Sequence, residues 1–154
     1  MEKVNNIKKI IIKKPLKLDC GITISDYPLA FETYGNLNES KDNAIMVFHA
    51  LTGDQFASGE NPITKKDGWW SYVIGPNKAL DTNKYFMICA NVIGGCMGSY
   101  GPNSIDQKSG KKIGINFPVI TINDMVNAQF NLLDHFGISK LFCVTGGSMG
   151  VMQA

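Results

Sequence analysis

No arginine occurs in this chain: all fifteen basic residues are lysine, set against thirteen acidic residues, and the formal charge is only +2. So small an excess excludes a nucleic-acid reading based on bulk charge. Six lysines (Lys3, Lys8, Lys9, Lys13, Lys14 and Lys17) crowd the first segment, where lysines beside an apolar run protect an exposed edge strand from pairing. Paired cysteine spacing is also missing. Cys20, Cys89, Cys96 and Cys143 form no C-x-x-C, and two of them lie inside apolar runs, where a free cysteine behaves as a small hydrophobe. That pattern fits a reduced, cytoplasmic setting and calls for no metal. No stretch approaches the roughly 18 apolar residues of a membrane span. The Ile10-Ile11-Ile12 run between lysine pairs is shorter than the apolar core of a signal peptide. Neither a membrane nor export by such a signal is expected.

A phosphate loop is absent as well. Asn91 to Pro102 is rich in glycine, but the glycines miss the G-x-G-x-x-G register, no G-x-x-x-x-G-K-[ST] follows, and Pro102-Asn103 stands where a helix should open. These glycines are expected to let the backbone run close to an active site, with Cys96 structural.

What the chain does contain is an alternation of apolar strands and one amphipathic helix. Ile7 to Lys13, Leu16 to Leu18, Ile22 to Ser25 and Leu29 to Tyr34 read as short antiparallel strands, an edge hairpin or meander punctuated by Pro15, Gly21, Asp26, Pro28 and Gly35. Residues 1–43 are taken as these strands and their loop, and 44–154 as the α/β core of the same domain. Ala44 to His49 and Tyr85 to Ala90 are continuous apolar runs, the mark of parallel strands buried on both faces. Between them, Phe56 to Lys66 reads as surface, and the aromatics around Trp69 and Trp70 read as packed. Thr121 and Asp124 have capping-box spacing. Ile122, Met125, Val126, Phe130, Leu133 and Phe136 then recur at helical intervals up to Gly137, a C-cap. His135 falls in the last turn, where the helix dipole favours it.

The helix feeds Leu141 to Val144, a third apolar strand that breaks into Gly146-Gly147-Ser148-Met149-Gly150. G-x-S-x-G between a strand and a helix is a nucleophile elbow: the serine sits on a cramped turn, and the flanking glycines lack side chains that would collide across it. Ser148 is the candidate nucleophile. The oxyanion donors expected are the backbone N–H of Met149, next after the nucleophile, and that of Leu51, in the loop leaving the strand that ends at His49. His49 is read as holding that loop by a hydrogen bond. In a fold of this type the acid and then the base follow the serine, and both histidines precede it. The chain therefore reads as an N-terminal portion of a mostly parallel sheet ending at the elbow.

The motifs together resemble one family, the homoserine O-acetyltransferases of the α/β-hydrolase superfamily. The likeness rests on Phe31-Glu-Thr-Tyr-Gly35, His49-Ala-Leu-Thr-Gly53, Gly68-Trp-Trp70, Ile74-Gly-Pro76, Asn91-Val-Ile-Gly-Gly-Cys96, Gly101-Pro102, Thr121-Ile-Asn-Asp-Met-Val126 and the elbow. Val151 departs from it, standing where the family has a further glycine, and is expected to crowd the elbow modestly. The resemblance implies acetyl transfer from acetyl-CoA, a co-substrate, to the hydroxyl of L-homoserine through an acetyl-Ser148, with no resident cofactor. It also implies a homodimeric parent in methionine synthesis, with acid, base and substrate-binding arginine downstream. Other readings stay open: a succinyl-CoA or serine acyltransferase of the same family, a serine esterase or thioesterase, and an inert fragment.

Overall fold

The computed structural model describes residues 7–107 and 109–154; Lys3, of the lysine cluster, lies outside them. The strands are β1 (Lys9–Ile12), β2 (Leu16–Lys17), β3 (Thr23–Ile24), β4 (Tyr27–Tyr34), β5 (Ala44–Phe48), β6 (Ile74–Gly75), β7 (Leu80–Asp81), β8 (Phe86–Ala90) and β9 (Cys143–Gly146). The helices are α1 (Ile122–Phe136) and α2 (Met149–Gln153).

Five strands form the central sheet in the order β1-β4-β8-β5-β9. The β1–β4 and β4–β8 pairs are antiparallel, and β8–β5 and β5–β9 are parallel. The first segment is antiparallel, as expected, but it is not confined to the edge of the sheet. Its longest strand, β4, lies inside the sheet, where Phe31 pairs with Ala90 and Thr33 with Ile88, and only β1 is an edge. The parallel neighbours β5 and β8 are joined without a helix between them: the intervening chain makes turns and a two-stranded ribbon, β6 with β7. Phe56 and Ala57, expected at the surface, are buried in this connection.

Every residue of β5 and β8 is buried, which explains why both read as unbroken apolar runs. Period-2 alternation divides them between two cores. Ala44, Met46, Phe48, Ile88 and Ala90 face α1 with Ala128, Leu132 and Leu133, whereas Ile45, Val47, Met87 and Cys89 face Ile74 and the Trp69 and Trp70 rings. The indole of Trp69 also donates from Nε1 to the Asp54 carbonyl at 2.9 Å.

Helix α1 begins and ends where its capping residues place it. Thr121 accepts from the Asp124 N–H at 3.2 Å, Asp124 Oδ2 accepts from the Thr121 N–H at 2.9 Å, and Gly137 closes the helix at φ 64°. The buried face differs from the one expected, because Phe130 is 55% exposed. At 100° per residue Phe130 lies roughly 200° round from Ala128, the middle of the stripe that meets the sheet. Apolar spacing alone spread the face too widely; docking on a flat sheet chose the narrower arc.

Asp124 does more than cap. Fully buried, it also accepts the Asp19 N–H on Oδ1 at 2.9 Å, and Asp19 in turn accepts from the Thr121 hydroxyl and from Asn123 Nδ2. Those bonds hold the Asp19 carboxyl below its usual range. The β2–β3 ribbon is thus tied to the helix start. Asp124→Ala leaves two part-buried N–H groups without their acceptor, and urea denaturation should show a loss of about 2 kcal/mol, against about 1 kcal/mol for Thr121→Ala. Equal losses would reduce Asp124 to an ordinary cap.

Candidate active site

Strand β9 runs parallel to β5, with Gly146 opposite Phe48, so the chain segments leaving both strands emerge at the same end of the sheet. After Gly146 the backbone turns sharply. Ser148 sits at φ 56°, ψ −121°, a conformation that a residue bearing Cβ adopts only when its surroundings hold it there. The turn is closed by Gly150 N–H to Gly147 O and Val151 N–H to Ser148 O, both 2.9 Å.

The two flanking glycines have a steric reason. A Cβ on Gly146 would lie 2.7 Å from the Phe48 carbonyl oxygen, and one on Gly150 would overlap that same oxygen. Ser148 is exposed, and its hydroxyl makes no hydrogen bond among the described residues. Val151, expected to crowd the turn, points outward and is 62% exposed.

On the neighbouring strand, β5 ends at Phe48, and the chain enters a turn closed by Gly53 N–H to Ala50 O at 2.8 Å. Leu51 stands at its tip, 76% exposed. The N–H groups of Leu51 and Met149 have no acceptor among the described residues. Both N–H groups lie on segments leaving adjacent parallel strands, at the end of the sheet where Ser148 is exposed.

His49 anchors the loop from behind. It is 1% exposed, its Nδ1 lies 2.7 Å from the Ala50 carbonyl, and its Nε2 accepts from the Val92 N–H at 3.3 Å. The first contact requires a proton on Nδ1 and the second a lone pair on Nε2, which fixes the neutral tautomer. Burial lowers its pKa from the ordinary 6.5, opposed by the Ala50 carbonyl and by the charge of Asp54. Asp54 is itself bound, with its carboxylate accepting from Phe56 N–H at 2.9 Å and Asn61 Nδ2 at 3.2 Å.

The other candidates lie elsewhere. His135 is exposed on the last turn of α1, edge-on to Phe136. Cys96 is exposed and lines a groove of about 870 Å³ between β1, the β2–β3 ribbon and residues 95–113; Ser148 does not line that groove. Cys89 and Cys143 are both pushed up by burial, the reverse of an activated thiol. Two glycines of the Asn91 to Pro102 loop approach their own loop, since a Cβ on Gly95 would lie 2.8 Å from Asn91 Oδ1 and one on Gly101 would overlap the Gly95 carbonyl, whereas a Cβ on Gly98 would lie 3.0 Å from the side chains of Ala30 and Ile7. Sequence reading passed over Gln129 and Gln153, which meet in a buried bond of 2.8 Å between α1 and α2. The available signal was position: Gln129 adjoins Ala128 on the buried stripe of α1.

No family model matches the chain. It is 74% identical over 148 residues to the homoserine O-acetyltransferase of Pelagibacter ubique (strain HTCC1062), covering 96% of this chain and 40% of that protein. With the homoserine O-acetyltransferase of Mesorhizobium japonicum it shares 59% identity over 140 residues, 91% of this chain and 36% of the relative. The chain thus spans about two fifths of the length of the curated relatives it matches. Among solved structures, homoserine O-acetyltransferase from Bacillus anthracis superposes with a TM-score of 0.85 at 36% identity, covering 96% of this chain and 41% of that one. Esterase E22 superposes at 0.86, also at 36% identity, covering 96% and 42%.

Two consequences of this geometry can be measured. The unfolded chain protonates His49 near pH 6.5 while the folded chain resists, so stability should fall as pH drops from about 6.5 towards 5. His49→Gln should flatten urea midpoints in that window; an unchanged slope would mean that the imidazole is not held neutral. Gly150→Ala forces a methyl into the Phe48 carbonyl and should lower stability by about 3 kcal/mol, whereas Gly147→Ala, where the added Cβ meets nothing within 4 Å, should cost less than 1 kcal/mol.

Proposed function

We propose, starting from the membership of this chain in the homoserine O-acetyltransferase family of the α/β-hydrolase superfamily, that it carries the nucleophile segment of a serine acyltransferase. The reaction is movement of an acetyl group from acetyl-CoA to the side-chain hydroxyl of L-homoserine, a step towards methionine. The observation that carries this reading is the identity to the Pelagibacter ubique relative across nearly all of this chain.

The parts suit a two-step transfer. Ser148 Oγ, giving its proton to a base, attacks the thioester carbonyl, and the oxyanion that develops is held by the N–H groups of Leu51 and Met149. Collapse breaks the C–S bond, the CoA thiolate takes the proton back from the base, and acetyl-Ser148 remains. The homoserine hydroxyl then attacks the same carbonyl carbon, the base takes its proton, and Ser148 leaves and is reprotonated. Acetyl-CoA is a co-substrate, and no resident cofactor enters either step.

Neither histidine of this chain suits the base. His49 is neutral with both ring nitrogens engaged inside the fold, and His135 makes its contact with Phe136. On this reading acid, base and acceptor pocket come from the remaining three fifths of the relatives' length, and the whole enzyme works as a cytoplasmic homodimer.

One observation favours a second reading. The likeness to esterase E22 equals that to the Bacillus anthracis transferase, so this segment also suits ester hydrolysis, with water taking the place of homoserine. Thiol release from acetyl-CoA or succinyl-CoA, measured with and without L-homoserine or L-serine, separates the two. The protein expressed from the complete reading frame containing these residues should respond to acetyl-CoA only with homoserine present. Ser148→Ala should lower the rate by about 10⁴-fold or more, and residues 1–154 alone should not turn over. Acceptor-independent release of acetate would establish the esterase, and a Ser148→Ala protein with full activity would sink both readings.

A further inference from the structure

Over Met149–Gln153, helix α2 buries no large apolar side chain. Its only buried residues are Gly150 and Gln153, while Val151 and Met152 point outward and are largely exposed. Steric fit at Gly150 seats the first turn of α2 on β5, and the buried side chain of Gln153 joins the following turn to α1.

That side chain is bonded on both sides. Gln153 Oε1 accepts from Gln129 Nε2 at 2.8 Å in a bond buried between α1 and α2. Gln153 Nε2 points back to the carbonyl of Met149 at 3.5 Å, and Gln129 Nε2 is shared with the Met125 carbonyl at 3.3 Å. The pair is an expensive way to join two helices. Gln129 Oε1 is buried without a partner among the described residues, a loss that an apolar contact of the same size would avoid.

We infer that Gln129 and Gln153 are positioning residues for the reaction: by restraining the Met149 carbonyl they hold the first turn of α2 in place, and with it the preceding peptide, which carries the Met149 N–H. This rests on the reading of Ser148 as nucleophile and of Met149 N–H as oxyanion donor. The path is short. Gln129 belongs to a long, capped helix docked on the sheet, Gln153 Nε2 restrains the carbonyl of Met149, and the donor N–H lies on the other side of the same residue. An apolar contact would hold the helices equally close but leave α2 free to rotate about its axis, because it specifies no atom-to-atom direction. An oxyanion donor acts over a narrow range of distance and angle, so a small rotation matters to the rate and little to folding.

The test is the double variant Gln129→Met/Gln153→Met, made in the protein expressed from the complete reading frame. Removing both partners together leaves no new unpaired group, so the melting temperature should stay near that of the parent. The rate of covalent labelling of Ser148 by a fluorophosphonate probe, and kcat for acetyl-CoA with homoserine, should each fall about tenfold or more, with KM for acetyl-CoA unchanged. Gln153→Glu is the second variant, since it keeps an acceptor for Gln129 Nε2 but loses the donor to Met149. It should show the same kcat loss in smaller degree. Normal labelling and kcat in a folded double variant, or in Gln153→Glu if the double variant does not fold, would overturn the inference and make the pair purely structural. Ser148→Ala separates the two levels: if it leaves labelling and turnover intact, the nucleophile reading fails and this inference falls with it. If only the glutamine variants retain them, the inference alone fails.

Discussion

The carbonyl oxygen of Phe48 is the point on which this architecture depends. Strand β9 and the first turn of α2 close on it from two sides, and both approaches are possible only because Gly146 and Gly150 carry no side chain. Seating the helix there leaves too little backbone for a relaxed turn, and Ser148 absorbs the difference at φ 56°. A serine in the middle of a strand or helix would be covered by its neighbours; this one is pushed out of the end of the sheet. The exposure of the hydroxyl follows from the crowding of the backbone beneath it.

Around that seat, three buried polar groups fix segments that apolar packing could not orient. Asp124 ties the N-terminal ribbon to the start of α1, His49 ties the loop after β5 to the loop after β8, and Gln129 with Gln153 ties α1 to α2. Each replaces a non-directional contact with a directed one, where the orientation of a backbone N–H or of a capped turn matters. Each also carries a risk, since a buried group that loses its partner destabilises more than the bond was worth. The sheet beneath needs no such help, because β5 and β8 are covered on both faces by apolar side chains.

The fold of this segment is common to a homoserine O-acetyltransferase and to an esterase, at the same sequence identity. An activated serine and two backbone donors act on the acyl carbonyl and are indifferent to what accepts the acyl group next. Discrimination between homoserine and water belongs to groups that touch the acceptor. The elbow geometry therefore does not by itself distinguish the two reactions.

Much of this was legible in the chain itself. The doubly buried strands announced themselves as unbroken apolar runs, the helix as a capped periodic segment, and the elbow as a serine between two glycines, because each depends on neighbours within a few residues. What sequence alone misjudged depended on distant partners. Phe130 looked like core until the flat sheet selected which arc of α1 to bury, β4 looked like an edge until β1 covered it, and Val151 looked obstructive until α2 turned it outward. The neutral state of His49 and the Gln129–Gln153 bond lay beyond local reading for the same reason. Their partners are 43 and 24 residues away, and only the closed sheet and docked helices bring them within hydrogen-bonding distance.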